Sequence, residues 1–426
     1  MRLFAALALV VVGCSNDVDP RVIAGGGVGD GEIDGEINVA VIDNDTDAPI
    51  AGATVDVKGN QKTTDAKGFV TFTDVEGAQN VTVKITGYRS AVWMGVNGAN
   101  VTIPLTANGT TSVPQATLSG SLAGWDAITV PAGHAKAAFV TYSQTDDLGN
   151  AANSIPQNNG NVCIAGTTCN WTVISRTGTV TLIALIIDRD LNGTLTDPSD
   201  DTQKVIGYAY KPGLTVSAGV NQSGLVLDQI QAGDLDTVTV DKGTPPASLT
   251  EFGAVVGIEI GKHEVIQLPL AVETPTPTSI IVPKRTVFGS ATYRLTAISQ
   301  TTSGDMGAQS VVLRQGLTTT ALAAGTWLVP PAGVTATRTN AAWEPVAGAK
   351  AHSATWKDTT GDLLEITAFN AQIKQVDVPT LVALPSSGTL TARVSAIGAD
   401  FDVNDFSLED DSALLWGISA QPVNLP

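Results

Sequence analysis

What most restricts the fold of this chain is the shortness of its apolar runs. Past the N-terminus, Val-, Ile- and Thr-rich segments alternate with clusters of Gly, Pro, Asn and Asp. Ile37, Val39 and Val41 repeat at every second position, and Phe69-Val70-Thr71-Phe72 follows a turn-forming Asp65-Ala66-Lys67-Gly68. A period of two sends successive side chains to opposite faces of a strand. No long Leu/Glu/Lys/Ala stretch with the helical period of 3.6 interrupts this pattern. The 43 glycines and 21 prolines supply turns between short strands. The chain is therefore expected to be all-β. At roughly 100–200 residues per domain, 426 residues give about three domains, each able to bury a core of its own.

The formal charge of −18 and the pI near 4.4 argue against nucleic acid as a partner, because such a surface repels a phosphate backbone. The first residues have a different character. Met1-Arg2 carries one positive charge, and Leu3 to Val12 is apolar. That run is far shorter than the ~20 residues needed to span a bilayer as a helix, and its flanks suit a secretion signal. It ends Val11-Val12-Gly13-Cys14, which resembles the lipobox of bacterial lipoproteins. The resemblance implies removal of residues 1–13 as a signal peptide, acylation of Cys14, and membrane attachment through that lipid. Ser15 in the next position, rather than Asp, implies the outer membrane. An ordinary secretory signal with a chance Cys is the competing reading. Residues 14–35, with Gly25-Gly26-Gly27-Val28-Gly29-Asp30-Gly31, are expected to form a flexible tether.

Four folded regions are expected after the tether. Residues 36–106 carry Ile50 to Val57, the Thr64-Asp65-x-x-Gly68-Phe69 turn and Gly87-Tyr88. This order resembles the carboxypeptidase regulatory-like domain. That resemblance implies a seven-strand transthyretin-like sandwich acting as an accessory module, without peptidase activity. Residues 112–245 and 246–330 read as two β regions with a poorly marked boundary. Residues 331–426 contain Ala342-Trp343-Glu344-Pro345 and Leu390 to Ala396, and resemble a fibronectin type III domain with Trp343 in its core. The expected architecture is thus tandem β-sandwich modules, immunoglobulin-like or transthyretin-like, behind a signal peptide and tether.

Few residues carry chemistry. Cys163 and Cys169 are the other cysteines. In an oxidising compartment they are expected to pair and pin a hairpin beside Trp171. Asp188-Arg189-Asp190-Leu191-Asn192-Gly193 opens like a calcium loop. Asp188, Asp190 and Asn192 would offer side-chain oxygens and Thr194 a carbonyl, with Asp197 or Asp201 closing the shell. Ser199 stands where an EF-hand has Glu, and the approach reads as a strand. A calcium (Ca2+) staple and an acidic solvent-facing turn therefore both remain open. Only three histidines occur, and His263-Glu264 lacks the second His of a zincin motif. Neither a nucleophile elbow nor a phosphate loop is present. The expected function is a non-catalytic surface scaffold, spacer or adhesion protein with a protein or glycan partner. A carbohydrate-binding protein is the alternative, in which exposed Trp93, Trp125 and Trp171 would stack on sugars; core filling is the competing fate of those rings. A hydrolase with an unrecognised site ranks behind both.

Overall fold

The computed structural model describes residues 19–108, 114–145, 162–164, 166–193, 201–261, 264–269, 279–301, 307–410 and 414–425. Cys14, Thr194, Asp197 and His263 lie outside the described residues. Within these residues every regular element is a β-strand or a short 3-10 turn. No described helix is long and apolar enough to cross a membrane.

The first unit is a two-layer sandwich of seven strands. One layer orders Asn100–Leu105, Asp34–Asp43 and Phe69–Glu76; the other orders Ser90–Val96, Gln79–Lys84, Thr54–Val57 and Asn60–Thr63. Ile37, Val39 and Val41 turn inward as their spacing predicts, against Val55, Phe72, Val81, Val83 and Ile103. The turn before Phe69 is fixed locally. Asp65 Oδ1 accepts the amides of Lys67 at 2.8 Å and Phe69 at 2.9 Å. Gly68 has φ +72°, and a Cβ there would stand 2.6 Å from the Val41 carbonyl oxygen.

The expected flexible tether is corrected over its described part, residues 19–35. Gly27–Gly29 is a strand, paired on one side with Asn100–Leu105 and on the other with Phe406–Ser407. A Cβ on Gly27 would lie 2.0 Å from the Phe406 carbonyl oxygen. Glycine serves close backbone approach at this position, not freedom of the chain.

The second unit is one seven-stranded sheet rolled around one core. Its order is Val162–Ile164, His134–Tyr142, Gly178–Asp190, Thr202–Val216, Gln222–Gln229, Gln115–Leu122 and Asn170–Arg176. All seven strands contribute to the core, among them Leu118, Val140, Trp171, Leu182, Ala209 and Leu227. Gly178–Asp190 is buried without a break from Val180 to Ile187. Leu182, Ala184 and Ile186 point into the roll, while Ile183 and Leu185 enter the core of the third unit. A strand covered on both faces requires a near-continuous apolar run, as Val180-Thr181-Leu182-Ile183-Ala184-Leu185-Ile186-Ile187 provides, broken only by Thr181.

In the third unit Leu235–Asp241, expected with the second region, pairs instead with Ser279–Pro283 and Ala321–Ala323. That small sheet covers the strands Glu251–Gly261, Glu264–Pro269 and Thr292–Gln300 through Val238, Val256, Ile280 and Leu295. The fourth unit sets Thr335–Ala336, Asn340–Ala342 and Gln375–Asp377 against Ala351–Asp358, Gly361–Ala368, Leu390–Ala399 and Leu415–Leu425. Trp343 is in its core, as expected, beside Trp356 and Ile366.

The units are not beads on a string. A single thirteen-stranded sheet crosses all of them. Gln309–Leu317 of the third unit pairs antiparallel with Leu415–Leu425 of the fourth. Gly361–Ala368 of the fourth pairs parallel with Ser90–Val96 of the first. The last unit in sequence is thus keyed between the first and the third. Gln144–Thr145 carries the second unit into the same sheet by pairing with Glu264–Pro269. At that crossing Ser143 Oγ donates to Glu264 Oε1 at 2.5 Å and accepts from the Thr181 amide at 2.8 Å.

Candidate functional site

The Asp-rich segment leaves the strand Gly178–Asp190, where alternate residues face opposite ways. Asp188 and Asp190 therefore share a face, and His134 of the neighbouring strand lies between them. Its Nδ1 is 2.8 Å from Asp188 Oδ1 and its Nε2 is 3.7 Å from Asp190 Oδ2. Arg189 faces the other way and pairs with Asp201, whose side chain is 1% exposed. Among the described residues Asp201 Oδ1 has no hydrogen-bond partner. Asn192 takes a left-handed φ of 45°, and its amide donates to Asp190 Oδ1 at 3.0 Å. The structure thus gathers Asp188 and Asp190 on His134 and turns Asp201 to the opposite face with Arg189. Among the described residues no three His, Cys, Asp or Glu side chains group to hold a metal ion. A His–carboxylate partnership was not legible from sequence, because His134 and Asp188 are 54 positions apart.

Cys163 and Cys169 form the expected disulfide, with 5.2 Å between their Cα atoms. The expected hairpin is corrected: Val162–Ile164 pairs with His134–Tyr142, and Asn170–Arg176 pairs with Gln115–Leu122. These strands are the two edges of the rolled sheet. The disulfide closes the roll from edge to edge, and Trp171 lies under it in the core.

The core-filling fate holds for the three Trp residues, and the alternative of an exposed sugar platform is corrected. Trp93, Trp125 and Trp171 are 7%, 1% and 3% exposed. Each belongs to a hydrophobic core, which is where the apolar bulk of an indole gains most. Trp125 and Trp171 share the interior of the roll, and Trp93 packs against Phe369 and Phe406 of the fourth unit.

Two features had no sequence signal. His352 is fully buried in the fourth unit, where desolvation pushes its pKa down to about 4. Its Nε2 accepts the Val346 amide at 3.2 Å, which leaves the neutral ring's proton on Nδ1. Among the described residues that Nδ1 and Nε1 of the adjacent Trp343 are both buried without a partner. The second feature is a cavity of about 300 Å³ where the first and fourth units meet. Trp93, Phe369, Phe401 and Phe406 line it, with Arg89, Lys350 and Glu365 among its polar residues. The rings pack on one another, with centroids 5.2 Å apart for Trp93–Phe369, 5.5 Å for Phe369–Phe406 and 5.0 Å for Phe401–Phe406. Phe401, Val403, Phe406, Ser407 and Leu408, which follow Leu390–Ala399, form part of its wall, and Phe406–Ser407 also pairs into the first unit's sheet.

No family model matches the chain, and no curated protein matches it. Among solved structures it is similar to the TIE protein of Bacillus anthracis, at 8% identity and a TM-score of 0.15, over 68% of this chain and 49% of that one. The chain thus spans about half the length of that protein. It is also similar to two B repeat units of the collagen-binding protein of Staphylococcus aureus, at 10% identity and a TM-score of 0.14, over 92% of this chain and 98% of that one. A Streptococcal ancillary pilin matches at 8% identity and a TM-score of 0.12, over 68% of this chain and 98% of that one. Overlaps at this level carry no argument about function. The all-β class rests on the strands themselves.

Proposed function

We propose that this chain is a non-catalytic scaffold of the bacterial cell envelope, held to the outer membrane by acylated Cys14 and offering one stiff β surface to a partner. The observation that carries the reading is the thirteen-stranded sheet. Modules joined only by linkers reorient freely, whereas modules sharing strand pairs and cores move together. A body of this kind sets a fixed distance and orientation between a membrane and whatever meets its far side.

Several features support the finer parts of this reading. The seven-strand first unit suits a carboxypeptidase regulatory-like accessory module, and the fourth, with Trp343 in its core, suits a fibronectin type III-like module. The Val11-Val12-Gly13-Cys14 order supports lipid attachment, since Cys14 combines with an apolar run too short to span a bilayer. Surface partners of protein or glycan chemistry fit an acidic, soluble exterior.

The test has two arms. Metabolic labelling with a fatty-acid analogue is expected to mark the wild-type protein in the membrane fraction, and Cys14→Ser is expected to lose label and leave that fraction. Small-angle scattering of the released protein is expected to fit one rigid body. Label-free wild-type protein refutes the anchor. A scattering curve that only a broad ensemble of module orientations reproduces refutes the scaffold.

A further inference from the structure

The geometry points to a small-molecule site in the cavity between the first and fourth units, for a carboxylate carrying an aromatic or branched apolar body. Protein interiors leave few voids larger than a water molecule, and ligand pockets begin at about 300 Å³. A space of about 300 Å³ is kept open here although four aromatic rings surround it. Its apolar wall comes from three separate stretches of chain: Trp93 from the first unit, Phe369 after Gly361–Ala368, and Ile397, Phe401, Val403 and Phe406 from the run that continues out of Leu390–Ala399. An apolar body seated there would touch all three.

The polar residues choose the charge. The chain as a whole carries −18, yet Arg89 and Lys350 line the cavity against a single carboxylate, Glu365. Glu365 is already engaged by Arg89 Nη2 at 2.8 Å, and Arg89 Nη1 also holds Asp362 at 3.1 Å. The exposed Lys350 ammonium makes no ion pair among the described residues. It is the cation left to meet an incoming carboxylate, while the rings receive the apolar body. Asn44 adds an uncharged polar group. A bound acid would also tighten the joint between the two units, because the wall it fills belongs to both.

Titration calorimetry of the full chain with 4-phenylbutyrate, and with its neutral amide as control, tests the site. Saturable one-to-one binding of the acid is expected, about tenfold tighter than the amide. Lys350→Met should bring the acid down to the affinity of the amide. Ala91→Leu, which enlarges a residue lining the cavity, should abolish both. Melting curves establish that the variants fold, and Thr367→Leu replaces Ala91→Leu should that chain fail to fold. Absence of saturable heat up to about 10 mM acid overturns the site. Equal affinity for acid and amide overturns the choice of a carboxylate. Undiminished binding by the filled variant places the ligand elsewhere and overturns the assignment.

Discussion

The rolled second unit and the joint between the first and fourth units solve the problem of exposed sheet edges in opposite ways. The roll closes on itself: its two edge strands are tied by Cys163–Cys169, and every strand serves one interior. The joint is open and shared. Ser90–Val96 finds its partner in Gly361–Ala368, and Gly27–Gly29 finds one in Phe406–Ser407, across most of the chain length. The roll ties its two edge strands to each other through the disulfide instead of continuing them into a neighbouring unit. It attaches through the outer face of Gly178–Asp190 and through Gln144–Thr145. An open sandwich attaches by continuing its sheet. The roll should therefore respond to perturbation locally, and the joint should respond as one cooperative unit.

The largest effect is expected at the joint. Trp93→Ala removes a ring packed on Phe369 and Phe406 and should cost about 3–5 kcal/mol. Hydrogen exchange should quicken in the first and fourth units together while the roll keeps its protection. Loosening confined to residues 34–105 would mean that the two units do not share stability.

Acid is expected to act next, again on the joint's side of the molecule. The ordinary His pKa near 6.5 falls to about 4 at His352. Below about 6.5 the unfolded chain takes up a proton that the folded ring refuses. Stability is therefore full above that pH and declines as pH falls towards 4, by up to about 3 kcal/mol. Denaturant midpoints measured between pH 7 and pH 4 should show this slope in the fourth unit, and His352→Phe should flatten it. The same slope in the variant would assign the acid response to other groups.

Reduction should be the smaller perturbation and the mirror image of the first. Opening a loop of this length removes about 2 kcal/mol in the chain-entropy model. Cys163→Ser with Cys169→Ser should quicken exchange at Val162–Ile164 and Asn170–Arg176 and leave residues 34–105 unchanged. An equal loss of protection in the first unit would show that the roll and the joint unfold together.

Much of this fold can be read from the sequence. The period of two at Ile37, Val39 and Val41 places those residues inward, and the near-continuous apolar run from Val180 to Ile187 belongs to a strand buried on both faces. Asp65 and Gly68 announce their turn by residue type alone. Pairings between distant strands are not legible, because the register of Leu364 on Ser90 depends on how whole sandwiches dock. The glycine cluster at 25–31 misleads for a related reason. Composition alone does not separate a glycine that frees the chain from one such as Gly27 that lets two backbones touch. Of the site residues, the disulfide partners follow from redox compartment and spacing. The burial of Trp93, Trp125 and Trp171 follows only from knowing which face of each element meets a core. His134, His352 and the cavity come from contacts between segments that share no local motif.

The stiffness of the whole rests on the fourth unit being wedged between the first and third. Spin labels on cysteines replacing exposed Lys58 and Thr250, in protein bearing Cys14→Ser, measure this by pulsed dipolar spectroscopy. One narrow distance distribution, unchanged on dilution, is the result expected of a continuous sheet. A broad distribution would mean that the outer units move independently, and would contradict it.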